Sequence, residues 1–166
     1  MPEPARASAG ATLRALALQQ ARALVEARPP LPDWADDGIL PRFVVAAALQ
    51  RRRCGEDWYW CAPRLIVTAC GEVAGSASFK ASPVEGQVEI GYGVAPGYRR
   101  RGLATAAVGL MLAEAFTRHE VAAVLAETAE ENRPSQRVLE ANGFARTGLR
   151  EDRTEGRLIL WRRARA

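Results

Sequence analysis

Gly91-Tyr92-Gly93-Val94-Ala95-Pro96-Gly97-Tyr98-Arg99-Arg100-Arg101-Gly102-Leu103-Ala104-Thr105 joins a glycine-interrupted strand to a helix whose first turn carries neither bulky nor acidic side chains. This composition suits an anionic phosphate group. The first N–H groups of a helix have no intrahelical partner and sit at the positive end of the macrodipole, so they can hydrogen-bond an oxyanion directly. Gly102 allows a ligand to approach the backbone closely, and Ala104 and Thr105 keep the next turn slim. Arg99, Arg100 and Arg101 flank this anion site, and here the basic cluster reads as phosphate contact. The other cluster, Arg51-Arg52-Arg53, reads as the solvated C-terminus of a helix, where positive charge complements the dipole.

Arg99-x-x-Gly102-x-Ala104 resembles the Q/R-x-x-G-x-G/A pyrophosphate loop of the GNAT superfamily, whose members transfer acetyl from acetyl-CoA to amines. Downstream, at the family's spacing, Asn132-Arg133-Pro134-Ser135-Gln136-Arg137-Val138-Leu139-Glu140-Ala141-Asn142-Gly143-Phe144 resembles its N-x-x-S-x-x-x-L-E-x-x-G-F helix and turn. The N-x-x-S pattern is similar to the ribosomal-protein-acetyltransferase branch. The resemblance implies an α+β fold: a mixed, mostly antiparallel sheet of six to seven strands, splayed at its centre, with about four helices on its faces. It also implies acetyl-CoA as co-substrate, no metal, and a CoA site drawn from Tyr92, Val94, Arg99, Arg100, Arg101, Gly102, Leu103, Ala104, Thr105, Asn132 and Ser135.

Length and composition agree with one such domain. A chain of 166 residues is able to bury about 70% of the surface its unfolded form exposes. With 48% apolar and 25% charged residues it has the profile of an ordinary globular protein rather than a disordered or fibrous one. Residues 1–10, with Glu3 and two prolines, read as a frayed tail lacking the apolar stretch of a secretory signal, and 11–166 as a single domain. The longest uncharged run, Gly102 to Ala113, is too short to span a bilayer. Cys54, Cys61 and Cys70 match no zinc or redox spacing and read as reduced thiols in a cytoplasmic protein. The net charge of +4 admits a nucleic-acid binder, but the arginines are spread along the chain without interleaved aromatic residues, which disfavours nucleic acid as a partner.

Patterning predicts a strand at Thr12–Leu16, a helix at Leu18–Glu26, a loop at Arg28–Leu40 and a helix from Pro41 to about Arg53. Strands follow at about Arg64–Ala69, Val73–Lys80 and Gln87–Val94. The helix from Gly102 to about Arg118 is apolar nearly all round and must be buried on more than one side. A strand at Val121–Glu127, a helix opened by Pro134, and a hairpin of Ala145–Leu149 with Leu158–Arg162 complete the order; that hairpin is able to extend a sheet across a homodimer. Trp34, Phe43, Trp58, Tyr59 and Trp60 read either as core or as the lining of an acceptor cleft.

Acetyl transfer to an amine needs an unprotonated nitrogen, a proton sink and stabilisation of the departing thiolate. Alternation along Val88–Val94 puts Glu89, Gly91 and Gly93 on one face, and the two glycines suggest a bulge that would splay this strand from the next. A backbone N–H near Val94 would then face the thioester oxyanion. Glu89 is the first candidate for the base, with a structural carboxylate as its competing role, and Glu127 is a second candidate. Many family members carry a Tyr seven residues after the Asn, where this chain has Leu139. Ser135 is therefore the catalytic candidate at the sulfur, by donating a hydrogen bond or polarising it through water; its alternative is a helix-start hydroxyl bonded to its own backbone. Asn132 reads as helix N-cap or pantetheine contact. The leading function is direct transfer of acetyl from acetyl-CoA to a primary amine, on a small molecule or protein N-terminus, within a ternary complex. The alternatives are a catalytically silent CoA-binding module and, more remotely, a basic nucleic-acid binder.

Overall fold

The computed structural model describes residues 10–27, 30–36 and 38–166. Residues 1–9 of the expected tail, and Arg28, Pro29 and Asp37 of the expected loop, lie outside it. The elements run β1 (Thr12–Ala15), α1 (Leu18–Val25), α2 (Arg42–Arg53), α3 (Trp58–Cys61), β2 (Arg64–Val67), β3 (Val73–Phe79), β4 (Gln87–Val94), α4 (Leu103–Phe116), β5 (Ala123–Ala129), α5 (Arg133–Ala141), β6 (Ala145–Asp152) and β7 (Gly156–Ala164). A 3-10 turn at Pro96–Tyr98 precedes α4.

All seven strands form one sheet in the order β1-β2-β3-β4-β5-β7-β6. Every pairing is antiparallel except that of β4 with β5, which is parallel. Chain connectivity explains the exception, because α4 carries the chain back over the sheet between these two strands, as a parallel crossover requires. The parallel ladder is only three residues long, Gln87, Val88 and Glu89 against Ala123, Val124 and Leu125. Beyond it β4 pairs with β3 alone and β5 with β7 alone, so the sheet opens into two arms.

Two layers cover the sheet. On one face Leu16, just after β1, with Ala21, Leu24, Val45 and Leu49 of α1 and α2, packs over Leu65 and Val73. On the other, Val108, Met111 and Ala115 of α4 and Leu139 of α5 pack over Phe79, Val88, Ile90, Val124 and Trp161, so this core spans both halves of the sheet. Helix α4 has a single exposed residue, Ala113, as its all-round apolar composition requires.

Several expectations need correction. Helix α3 adds a fifth helix, started by Asp57, whose side chain accepts from the Tyr59 amide. Strand β5 begins two residues later than Val121, and β6 and β7 extend well beyond the expected hairpin. No bulge occurs at Gly91 or Gly93, because the β3–β4 register runs unbroken from Gly75↔Val94 to Phe79↔Ile90. The register shifts lie instead at Ile66/Val67 and Arg146/Gly148. Of the aromatic residues, Trp60 is buried and forms a cluster with Tyr59 and Phe79, Trp58 donates its indole N–H to the Leu16 carbonyl, and Phe43 stands exposed on α2. Arg51 is not a solvated helix end. It pairs with Glu56 at 2.7 Å and donates to the Phe79 and Trp60 carbonyls, while Ser82 also bonds Glu56. These contacts, that with Arg51 first, hold the Glu56 carboxyl down at about 2.

Candidate active site

The opening between the arms has a defined backbone chemistry. In the antiparallel β3–β4 ladder Lys80 and Ala95 donate to the Glu89 and Ala74 carbonyls, which makes Glu89, Gly91 and Gly93 the residues hydrogen-bonded to β3. The main-chain groups of Tyr92 and Val94 therefore face away from β3, toward the arm that β5 has left. By the same alternation Glu130 donates to Arg157, so Glu127 of β5 directs its main-chain groups back across the opening. The result is a slot edged by strand N–H and C=O groups that no neighbouring strand satisfies. The glycines serve β3 rather than a bulge: a Cβ on Gly75 would lie 2.1 Å from the Gly93 carbonyl oxygen.

At the mouth of the slot the chain turns into the Arg99–Thr105 loop. Gly102 is the N-cap of α4 with φ of +74°, a left-handed conformation that favours glycine, and Arg100 is left-handed as well at +63°. Among the described residues no group accepts a hydrogen bond from the amides of Arg100, Arg101 or Gly102. The amides of Leu103, Ala104 and Thr105 open the helix, where an intrahelical acceptor does not exist. Six consecutive backbone donors are thus left for a ligand, in a conformation that suits phosphate oxygens. The side chains around them are held by the loop. Arg99 donates to the Val94 carbonyl at 3.1 Å, and Arg101 donates to the Gly97 carbonyl and lies over the Tyr98 ring.

Helix α5 starts beside the other end of the slot. Asn132 caps it, its Oδ1 accepting from the Ser135 amide at 3.2 Å. Buried Gln136 donates to the Ala129 and Glu130 carbonyls and accepts from Arg146, which fastens the first turn of α5 to the end of β5. Asn142 at the far end donates to the Thr105 carbonyl at 3.1 Å and so joins α5 to the first turn of α4. The two sequence motifs are therefore physically linked. Tyr92 reaches from β4 to α5, its hydroxyl 2.7 Å from Ser135 Oγ and 3.2 Å from the Ser135 carbonyl oxygen. Burial pushes the Tyr92 phenol above its ordinary value, and the bond to Ser135 opposes this only in part. Leu139 is fully buried in the α4/α5 core.

Glu89 lies on the opposite face of β4 from Tyr92, at the last rung before the arms separate. Its carboxylate is 29% exposed and forms an ion pair with Lys80 at 2.5 Å. Glu127 faces the same side two rungs further along β5, but Arg150 grips it at 2.6 Å and also holds Asp152. The thiols do not join the site: Cys61 is buried, with its thiol pushed up by desolvation, and Cys54 and Cys70 are exposed. His119 is fully exposed on the turn that follows α4. Among the described residues no group of three or more His, Cys, Asp or Glu is placed to hold a metal ion, and no helix is long and apolar enough to cross a membrane.

The sequence patterns alone did not single out Gln136, Asn142 as a link to α4, or Lys80. Their polar identity at helix and strand ends was the only available signal.

Comparison with known proteins agrees with this architecture. No curated protein matches the chain by sequence. Among solved structures it is similar to RimJ of Mycobacterium smegmatis in complex with CoA-disulfide, at 23% identity and a TM-score of 0.67 over 95% of this chain and 83% of that one. It is similar to RimL, a ribosomal L7/L12 α-N-protein acetyltransferase in complex with coenzyme A, at 19% identity, a TM-score of 0.68 and 95% of each chain. The aminoglycoside acetyltransferase AAC(6')-Ib in complex with coenzyme A matches at 20% identity and a TM-score of 0.64, over 94% of this chain and 95% of that one. The family model for the acetyltransferase (GNAT) domain matches residues 9–145, and with the splayed seven-stranded sheet this places the chain in the GNAT acetyltransferase family.

Proposed function

We propose that residues 11–166 act as one domain that transfers acetyl from acetyl-CoA to a primary amine by direct attack in a ternary complex. The observation that carries this reading is the run of six unpartnered amides from Arg100 to Thr105 at the mouth of a slot edged by strand groups that no neighbouring strand pairs. The amides receive the diphosphate. The Tyr92, Val94 and Glu127 main chain receives the pantetheine amides. The thioester carbonyl then lies beside the Val94 amide, a donor placed for the oxyanion of the tetrahedral intermediate. Asn132 holds the first turn of α5 so that the Ser135 hydroxyl can donate to the sulfur as the C–S bond breaks.

The acceptor enters on the face that carries Glu89. An incoming ammonium replaces Lys80 at the Glu89 carboxylate, loses its proton there, and attacks the carbonyl. The acceptor class is a cationic primary amine, in keeping with neighbours whose own names include a ribosomal-protein α-amine and an aminoglycoside. The site lies in a chain whose composition suits the cytoplasm.

The test is thermal. Saturating acetyl-CoA at about a hundredfold excess over Kd is expected to add about 2.7 kcal/mol, and hence to raise Tm by several degrees. Gly102→Glu is expected to remove the shift by setting a carboxylate against the phosphates, with the Tm of the ligand-free variant reporting that it folds. No shift in the parent protein at millimolar ligand overturns the assignment. A shift without CoA thiol release across a panel of amines and N-terminal peptides identifies a silent CoA-binding module, the reading that buried Leu139 favours.

A further inference from the structure

The chain lacks the tyrosine that many relatives carry seven residues after the Asn, and Leu139 at that place is sealed in the core. A different tyrosine is nonetheless present at the start of α5. Tyr92 comes from β4, one arm of the splay, and its hydroxyl touches two atoms of Ser135, which follows the other arm. Tyr92 is three residues past Glu89, the last residue of β4 paired with β5, so it stands where the slot opens.

The two contacts define two arrangements of protons. In one, Tyr92 donates to the Ser135 carbonyl at 3.2 Å, and the Ser135 hydroxyl is free to donate to Tyr92. In the other, Tyr92 donates to Ser135 Oγ at 2.7 Å, which leaves the Ser135 proton free to point elsewhere. Only the second lets Ser135 donate to a third atom. Without Tyr92 the hydroxyl of a residue in the first turn of a helix turns to local backbone acceptors.

We propose that Tyr92 is a positioning residue that directs the Ser135 hydroxyl proton onto the CoA sulfur, stabilising the thiolate as it leaves. This inference rests on the acetyltransferase reading above. In the step itself the acceptor N–C bond forms and the C–S bond breaks. The electron pair goes to sulfur, the amine proton goes to Glu89 or water, and the thiolate later takes its proton from solvent. Tyr92 and Ser135 keep their protons throughout. Burial of the phenol is consistent with this, because desolvation disfavours the phenolate and keeps the hydroxyl a donor at working pH.

The test reads the bound product. The ultraviolet absorbance of the CoA thiolate, titrated with pH in the full-length protein, gives the pKa of enzyme-bound CoA without any amine acceptor. A hydrogen bond donated to the thiolate lowers that value, so Tyr92→Phe and Ser135→Ala are each expected to raise it by about one pH unit. The double variant is expected to go no further than either single one, because both remove the same bond. With an active acceptor, Tyr92→Phe is expected to lower kcat about tenfold while Kd for CoA stays unchanged. An unchanged thiol pKa in Tyr92→Phe, or additive shifts in the double variant, overturns the positioning role. If Tyr92→Phe does not fold, an unchanged thiol pKa in Ser135→Ala overturns it equally. Failure of the parent protein to bind CoA at all is a different outcome, which sinks the acetyltransferase reading together with this inference.

Discussion

At the residue scale, the sharpest contrast is between the two carboxylates on the proposed acceptor face. Glu127 is locked by Arg150, itself shared with Asp152, whereas Glu89 is held by one lysine that is half exposed. An exposed ion pair of this kind contributes little to stability and exchanges readily for another cation. Glu89 is therefore the carboxylate that an ammonium substrate is able to claim. Glu89→Gln is expected to lower kcat/KM about 100-fold while the acetyl-CoA-induced rise in Tm is kept. Unchanged turnover in an otherwise active preparation would assign Glu89 to the structural role instead.

At the element scale, β3 and β4 are pressed together where Gly75 meets Gly93. A side chain at Gly75 would meet backbone, which cannot swing away. Gly75→Ala is expected to destabilise the fold by about 3 kcal/mol, seen as a fall in the denaturation midpoint; a loss within about 0.5 kcal/mol would show that the strands give way. Periodicity made most elements legible, since α1, α2, α4, α5 and the strands β2 to β4 follow from local patterns. It failed where local signals compete with tertiary ones. Trp58-Tyr59-Trp60 reads by composition as core or as cleft lining, and the Asp57 cap turns it into a helix. Two glycines in β4 suggested a bulge, but their consequence lies across the ladder, at Gly75. The splay was expected both from the family resemblance and from a glycine bulge that the structure does not contain. Its cause is a parallel crossover that keeps three rungs, a property of topology rather than of any residue in β4. In the same way both family motifs were readable because each is one contiguous segment, while the Tyr92–Ser135 contact joins positions 43 apart and leaves no trace in either motif.

At the scale of the whole molecule, two half-sheets share one continuous α4/α5 core but are stitched through only three residue pairs. Strand groups that face an open slot are exchangeable with solvent through small fluctuations. CoA laid between the arms, as proposed, would supply the missing hydrogen bonds. Hydrogen exchange at the Tyr92, Val94 and Glu127 amides is expected to slow at least tenfold on saturation with CoA, while the Val124 amide, within the ladder, changes little. Equal protection everywhere would mean global stabilisation without a ligand in the slot.

The Lys80–Glu89 pair has one more implication. All but one of the 23 Lys and Arg side chains in this protein are arginines, whose guanidinium groups are poor nucleophiles toward a thioester. A catalyst of amine acylation built this way offers its own reagent almost no side-chain amine as a target. The single exception is the lysine beside the candidate base, and while its nitrogen stays protonated against that carboxylate it has no lone pair with which to capture the acyl group. On the proposed mechanism, the contact that fills the acceptor position between turnovers therefore also guards the enzyme against marking itself.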